Sequence, residues 1–236
     1  MELEIIKAIA DWSDCYKSGK PLINPTGIVV HSTGADNEYL RRYCNNEQAL
    51  GKNKYGNFWG TGSSTEQADR GIPHAAIGLD INQNIAIAQV MPFNMRCWGC
   101  GSGKNGSYNI SHLQFEICED DTENGEYFTK AFDKAAQFCA YLMEKFPTIK
   151  TENIVSHREA ALKGYASNHG DPDHWLAKFG KDMNWFRELV RKYSGSETKK
   201  IYRVQMGSFN SRANAENYLS RLKKAGFDGF IIEAEK

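Results

Sequence analysis

The chain has 236 residues, of which 29 are basic and 29 are acidic, so its net charge at pH 7 is zero. This length suits one full domain with a small appendage, and the balanced charge excludes a general attraction to nucleic acid or to an anionic membrane. The sequence also predicts no membrane insertion, because no apolar run approaches the roughly 20 residues that a membrane-spanning helix needs.

The first segment predicts a helix that lies across the main domain. Leu3, Ile6, Ile9 and Trp12 recur at near-helical spacing, and the run Lys-Ser-Gly-Lys-Pro at 17–21 ends them. The segment lacks the basic region, long apolar core and cleavage site of a secretory signal. We therefore expect synthesis in the cytoplasm without a signal peptide.

The next part of the chain predicts a sheet with helices around it. Strands are expected at 28–30, 74–80, 85–90, 113–118 and 153–156. The clearest helix is 126–146, where apolar residues recur every three or four positions, and shorter helices are expected near 158–163 and 181–193. Residues 45–72 form a long polar loop with aromatic residues, which is typical of a lid or a binding rim. This order predicts an α/β fold with a mixed central β-sheet flanked by helices.

The last part of the chain predicts a separate small module. Residues 194–200 form a short polar linker, and a strand at 202–209, a helix at 213–225 and a strand at 227–233 follow it. We therefore expect a main domain at 1–193, a linker at 194–200 and a β-α-β module at 201–236.

Three residues of the main domain can close a zinc site. His31 and His157 each end an apolar, strand-like run, and Asp171 lies fourteen residues beyond the second histidine. Two neutral imidazoles and one carboxylate leave the fourth position of a tetrahedral zinc open for water, which is the arrangement of a catalytic site. Spacing alone does not establish this site, since a histidine at a strand end is more often packed or exposed. Asp173 is a rival for the third ligand.

Three segments resemble one enzyme family. They are Pro-Thr-Gly-Ile-Val-Val-His-Ser-Thr-Gly-Ala at 25–35, Gln-Phe-Glu-Ile-Cys-Glu-Asp at 114–120 and Ala-Ser-Asn-His-Gly-Asp-Pro at 166–172. In this order they resemble the zinc-dependent N-acetylmuramoyl-L-alanine amidases, specifically the type 2 amidases of Gram-positive bacteria and their phages. The resemblance runs from about residue 22 to about residue 193. It implies the type 2 amidase fold, Zn²⁺ as the cofactor, ligands at His31, His157 and Asp171, and peptidoglycan as the substrate.

The resemblance also implies two catalytic residues. Glu116 stands where bacterial members carry a strand glutamate beside the zinc-bound water, and strand alternation puts it on the same face as Gln114 and Cys118. His169 stands where most relatives carry a lysine that stabilises the oxyanion. A histidine can donate the same hydrogen bond, but it can lose its charge near neutral pH. Pro73 replaces a tyrosine of some phage relatives, which gives more of the acid–base work to Glu116.

Other residues are candidates for binding substrate. Trp98 and the Gly-rich run after it are expected to rim the cleft, although a buried tryptophan beside a Gly-rich loop is an equally good interpretation. Asn109 stands where relatives carry a polar residue. His74 has a role in the cleft or behind it, or is simply packed. Cys97 and Cys100 read as a redox or zinc pair, but one CxxC pair is weak, and the six scattered cysteines fit reduced thiols.

Residues 201–236 resemble the first half of the sporulation-related repeat (SPOR) domain, which binds glycan strands. The resemblances together predict hydrolysis of the amide bond between N-acetylmuramic acid and L-alanine, with lysis of the cell wall after the enzyme is released by a holin or by cell lysis. The expected partners are the glycan strands and stem peptides of peptidoglycan. Two alternatives are a recognition module that binds muropeptides without cutting them and a cytosolic amidase that recycles soluble muropeptides.

Overall fold

The computed structural model describes residues 3–56, 58–61, 71–195 and 205–233. The chain divides into two compact units, Met1–Glu197 and Thr198–Lys236, and each is described by itself. Among the residues described, no helix has both the length and the apolar composition that crossing a bilayer requires.

The first unit is built on one six-stranded sheet. Its strands are β1 (Ile6–Lys7), β2 (Gly27–Ser32), β3 (Ala75–Leu79), β4 (Ile85–Gln89), β5 (His112–Ile117) and β6 (Ile154–Ser156). Their order across the sheet is β1-β4-β3-β5-β2-β6. Strands β3 and β4 are antiparallel, and every other neighbouring pair is parallel. This mixed sheet confirms the predicted α/β fold.

Among its described residues, the same unit has six α-helices. They are α1 (Asp14–Lys17), α2 (Glu47–Leu50), α3 (Gly125–Lys145), α4 (His157–Leu162), α5 (Asp173–Lys178) and α6 (Met183–Ser194). The three helices expected near 126–146, 158–163 and 181–193 are confirmed, with ends that differ by at most two residues. Helices α2 and α5 were not predicted, and α2 lies within the loop expected at 45–72.

Helices α3 and α6 cover one face of the sheet and form the main core with it. The apolar stripe of α3 packs against β3, β4 and β5, whose residues on this face include Ile77, Ile87 and Phe115. Phe132 of α3 lies at the centre, with its ring centroid 5.2 Å from that of Trp175. Burial of this stripe is what holds the long helix on the sheet.

Two smaller apolar clusters cover the opposite face. One lies under the N-terminal segment and includes Ala76, Ala88 and Cys118. The other lies at the β2 and β6 side and includes Val29 and Val155. The polar side chains that β2 and β5 present on this face lie between the two clusters.

The predicted N-terminal helix is wrong. Residues 6–7 form strand β1, which pairs in parallel with β4, and only Asp14–Lys17 is helical. The backbone amides of Ala8 and Ala10 donate to the carbonyls of Gln89 and Val90, both at 2.9 Å. The open edge of β4 thus offers hydrogen bonds that outweigh the helical spacing of the apolar residues.

The second unit contains helix α7 (Arg212–Lys224), which confirms the helix predicted at 213–225. The two strands predicted beside it are wrong for the described residues, since 205–209 and 227–233 form no strand. Residues 201–204 and 234–236 lie outside the described residues, as do 196–200 of the linker and 57 and 62–70 of the long loop. Apolar side chains on this unit stay exposed, among them Phe227 and Phe230.

Candidate metal centre and active site

The site lies at the carboxyl ends of the parallel strands β2, β5 and β6. His31 of β2 pairs in register with Glu116 of β5, and Val30 pairs with Ser156, the last residue of β6. Paired residues of neighbouring parallel strands point to the same face, so His31 and Glu116 are side by side. His157 follows Ser156 directly and opens helix α4, whose capping box is made by Ser156 and Glu159.

His31, His157 and Asp171 converge at these strand ends, and their potential ligand atoms all lie within 4.8 Å of one another. The two Nδ1 atoms of the histidines are 3.0 Å apart. The carboxylate of Asp171 lies 3.2 Å from Nδ1 of His31 and 3.4 Å from Nδ1 of His157. Both histidines are buried. Residues 140 positions apart in the sequence therefore form one compact triangle of donors.

The size of this triangle fits a tetrahedral metal ion. Donors 2.0–2.1 Å from a tetrahedral zinc lie about 3.3 Å from one another. The two Nδ1 atoms are 3.0 Å apart, and the Asp171 carboxylate approaches His31 with Oδ2 at 3.2 Å and His157 with Oδ1 at 3.4 Å, all close to that value. The donor set, two imidazoles and a carboxylate, is also one that zinc accepts in catalytic sites.

The outer nitrogens of both rings have partners that leave the inner nitrogens free to bind a cation. Nε2 of His31 lies 3.1 Å from the amide oxygen of Gln114. Nε2 of His157 lies 3.3 Å from the hydroxyl of Ser167, which itself lies 3.2 Å from the carbonyl of Cys100. With the ring protons on the outer nitrogens, the two Nδ1 lone pairs face each other, an arrangement that a cation between them stabilises.

The structure brings Asp171, and not its rival Asp173, to the two histidines. Asp171 also accepts from the backbone amide of Ser32 at 3.4 Å, whereas Asp173 is the first residue of α5. Burial raises the pKa of Asp171, but contacts with His157 and His31 outweigh burial and hold that pKa well below its usual range. The carboxylate therefore stays charged at neutral pH.

Glu116 lies on the site face with an unsatisfied oxygen. Within the described residues, its buried Oε2 has no hydrogen-bond partner. Burial raises the pKa of Glu116 well above its usual range, and the neighbouring charges of Asp171 and Glu119 raise it further. A buried carboxyl group with a free oxygen and a raised pKa is suited to accept and return a proton.

His169 lies at the exposed side of the site. Its ring centroid is 4.6 Å from that of His157, and its Nδ1 lies 3.0 Å from the hydroxyl of Ser167. Ser167 therefore connects the two rings. An exposed imidazole at this position can donate its other nitrogen, Nε2, toward a bound substrate.

His74 does not support the predicted contact with substrate. It is buried, its Nε2 donates to the carbonyl of Met95 at 2.8 Å, and its Nδ1 accepts from the backbone amide of Gln114 at 3.0 Å. Burial lowers the pKa of His74 to about 4, so the ring is neutral at pH 7. Its two hydrogen bonds connect strand β5 to the segment around Met95.

Asn109 is engaged inside the protein. Its Oδ1 accepts from the side chain of Gln114 at 2.8 Å and from the backbone amide of Cys100 at 3.1 Å. Trp98 is partly buried and packs on the cluster under the N-terminal segment. Of the three predicted substrate contacts, none has a side chain wholly free to meet a ligand.

Sequence reasoning missed two residues that the structure places at the site. Gln114 was noted only as sharing a face with Glu116, and its contact with His31 depends on tertiary structure. Tyr43 follows the 3₁₀ helix Leu40–Arg42 and packs on Trp59 with ring centroids 4.8 Å apart; burial raises the pKa of its hydroxyl, and the nearby charge of Glu116 also raises it. No local pattern in the sequence identifies either role.

Cys97 and Cys100 do not form a redox site. All six cysteines are buried and unpaired. Burial raises the pKa of both thiols, which disfavours the thiolate that redox chemistry and metal binding need.

Comparisons with solved structures agree with this architecture. The hydrolase AmiA of Staphylococcus aureus, crystallised with its ligand, is 15% identical with a TM-score of 0.55, and the match covers 82% of this chain and 85% of that one. PlyL is 19% identical with a TM-score of 0.53, covering 80% and 97%. The catalytic domain of PlyG is 22% identical with a TM-score of 0.53, covering 85% and 100%. At these identities the likeness concerns the fold.

Comparisons of sequence give the family. No curated protein matches this chain. A family model of the SPOR domain matches residues 198–236. The family model of N-acetylmuramoyl-L-alanine amidase matches residues 21–174, which include the whole triangle of donors and Glu116. The chain therefore belongs to the N-acetylmuramoyl-L-alanine amidase family.

Proposed function

We propose that this chain is a zinc-dependent enzyme that hydrolyses the amide bond between N-acetylmuramic acid and L-alanine in peptidoglycan. The observation that carries the proposal is the convergence of His31, His157 and Asp171, whose potential ligand atoms all lie within 4.8 Å of one another and can share one ion. When bound, zinc supplies a Lewis acid that polarises the substrate carbonyl and lowers the pKa of water.

The proton transfers fall to Glu116. Hydrolysis of an amide needs a base that takes a proton from the attacking water and an acid that gives one to the departing nitrogen. Glu116 stands beside His31 in the register of β5 and β2 and has a free, buried oxygen. One carboxyl group can perform both transfers in turn, because it returns the proton that it has accepted.

His169 contributes to the stabilisation of negative charge on the substrate carbonyl oxygen. It is exposed at the side of the site, and when its Nδ1 accepts from the hydroxyl of Ser167, its Nε2 carries the proton that it can donate. A hydrogen bond aimed at the oxygen where charge develops lowers the barrier to reaction.

Residues 198–236 hold the enzyme on glycan strands. The match to the SPOR family supports this role, and so do the exposed rings of Phe227 and Phe230, since aromatic faces pack on sugars. The polymer-binding unit fits an enzyme that acts on the intact wall better than one that acts on small soluble muropeptides.

The proposed reaction is tested on purified Gram-positive cell walls. We expect the walls to clear, alanine amino termini to appear and no new reducing sugars to form, and we expect EDTA to abolish the activity and zinc to restore it. New reducing ends would identify a glycosidase and contradict the proposal. Binding of walls without release of any product would identify a recognition module instead.

A further inference from the structure

A buried chain of hydrogen bonds leads from His31 away from the proposed metal centre. Nε2 of His31 lies 3.1 Å from Oε1 of Gln114. Nε2 of Gln114 donates to Oδ1 of Asn109 at 2.8 Å. The backbone N–H of Cys100 donates to the same oxygen at 3.1 Å. His31 and Gln114 are each only 1% exposed, so water does not replace these partners.

The backbone amide at the far end fixes the direction of every bond in this chain. A backbone N–H can only donate, so the Asn109 atom that it meets is the amide oxygen. That oxygen can only accept, so Gln114 turns its NH₂ group toward Asn109 and its oxygen toward His31. The oxygen of Gln114 in turn accepts from His31, which puts the ring proton on Nε2 and the lone pair on Nδ1.

The backbone and the side chain of Gln114 are each held by one further neighbour. Its backbone N–H donates to His74 at 3.0 Å. A Cβ atom at Gly99 would lie 2.4 Å from Oε1 of Gln114 and 3.1 Å from its Cδ. Only glycine at position 99 therefore leaves room for the amide group where it stands.

We propose that Gln114, oriented by Asn109, is a positioning residue that holds His31 in the Nε2–H tautomer and so presents Nδ1 to the metal before the metal binds. The inference rests on the proposed zinc site and identifies a residue outside the ligand set that raises the affinity of the site for zinc. Loss of a partner behind a ligating histidine typically weakens metal binding by about 10–100-fold. Without Gln114, His31 can carry its proton on Nδ1, where Asp171 lies 3.2 Å away, and that bond must break before a metal enters.

Three variants test the proposal, with the zinc dissociation constant measured by competition with a chromophoric chelator. Gln114→Met keeps the size of the side chain and removes the acceptor, so the constant should rise about 10–100-fold. Gly99→Ala displaces the amide without changing any member of the chain of hydrogen bonds, and the constant should also rise. Asn109→Leu leaves Gln114 free to flip, so we expect a smaller rise. Should Gln114→Met fail to fold, Gly99→Ala decides the question.

Gln89→Met is the matched control. It also removes a buried amide, but the partners of Gln89 are Lys7 and the carbonyl of Met91, away from the site. We expect its zinc affinity to equal that of the wild type. If Gln114→Met and Gly99→Ala bind zinc as tightly as Gln89→Met does, the proposal is wrong. If Asn109→Leu raises KM and leaves zinc affinity unchanged, Asn109 contacts substrate and does not orient Gln114.

A second readout separates this inference from the proposed function. Long-range ¹H–¹⁵N NMR on the metal-free protein at about pH 8, where an ordinary histidine is neutral, reports the tautomer of His31. We expect Nε2–H in the wild type and a mixture with Nδ1–H in Gln114→Met. A wild type that binds no zinc would refute the zinc site, whereas an unchanged tautomer in Gln114→Met would refute the role of Gln114.

Discussion

The buried and the exposed residues of the site are suited to different roles. His31 and His157 are buried with their outer nitrogens, Nε2, engaged, which suits side chains that hold an ion on Nδ1 in a fixed geometry. His169 is exposed, and Glu116 keeps one oxygen free. Groups with an unused donor or acceptor are the ones that can exchange protons with a substrate.

Replacement of Glu116 tests its role in proton transfer. Glu116→Gln keeps the shape of the side chain and removes its basicity, so kcat should fall roughly 10²–10⁴-fold. Zinc should remain bound at a ratio of one per chain, which inductively coupled plasma mass spectrometry measures. The exposed Glu126→Gln serves as the control and should keep wild-type activity. A Glu116→Gln enzyme with near-normal kcat would assign the proton transfers to another group.

His112 makes the stability of the fold depend on pH. Burial, followed by the nearby charge of Lys163, lowers the pKa of His112 from 6.5 to about 4. The unfolded chain therefore binds a proton that the folded chain does not bind between these values, and stability is lost as the pH falls through this window. The loss from this residue is on the order of 3 kcal/mol.

His112→Phe should remove this dependence. The ring still stacks on Tyr108, as His112 does at 3.8 Å, but it cannot take up a proton. Urea unfolding at pH values from 7.5 to 4 should show a smaller loss of unfolding free energy than in the wild type. Parallel curves for the two proteins would mean that the pKa of His112 does not differ between the folded and unfolded chains.

The structure of a short segment depends on two competing factors: the hydrogen bonds that a sheet edge offers and the periodicity of the segment's own apolar residues. Apolar residues of 3–12 have helical spacing, but residues 6–7 form an edge strand, because β4 has backbone groups that need partners. Helix α3 is long enough that its stripe of buried residues determines its structure without competition. Short amphipathic segments are therefore the least certain part of a sequence-based prediction.

The packing of α3 is tested at its centre. Phe132 is fully buried between Trp175, Trp185 and Phe186, so Phe132→Ala should lower the free energy of unfolding by about 3–5 kcal/mol. Lys130→Ala on the exposed face of the same helix should change it by less than about 0.5 kcal/mol. Chemical denaturation measures both. Equal effects of the two substitutions would contradict the assignment of the core face.

The whole molecule combines a catalytic unit with a second unit of different composition. Every residue proposed for catalysis lies in Met1–Glu197, together with the apolar clusters that hold these residues in place. The second unit contains a helix whose described residues are all at least partly exposed. Its contribution is therefore expected in binding and not in the chemical step.

Removal of residues 198–236 tests this division. The shortened chain should hydrolyse soluble muropeptides with an unchanged kcat, because the triangle and Glu116 remain. Its binding to intact sacculi, measured by co-sedimentation, should weaken, and Phe230→Ala in the full chain should weaken it in the same direction. Equal sedimentation of the full and shortened chains would refute glycan binding by the second unit.

The sequence by itself determined the α/β class, the long helix and the family. The apolar pattern of each strand and of α3 lies within one continuous segment of the sequence. The segments around His31, Glu116 and Asp171 are also each recognisable from neighbouring residues alone. Only the tertiary structure decided that residues 6–7 join the sheet and that Gln114 and Asn109 stand behind His31, and it brings Asp171, the ligand that the resemblance implies, to the two histidines. These contacts join residues far apart in the chain, and which of them form depends on strand register and on the backbone groups left unpaired at each edge.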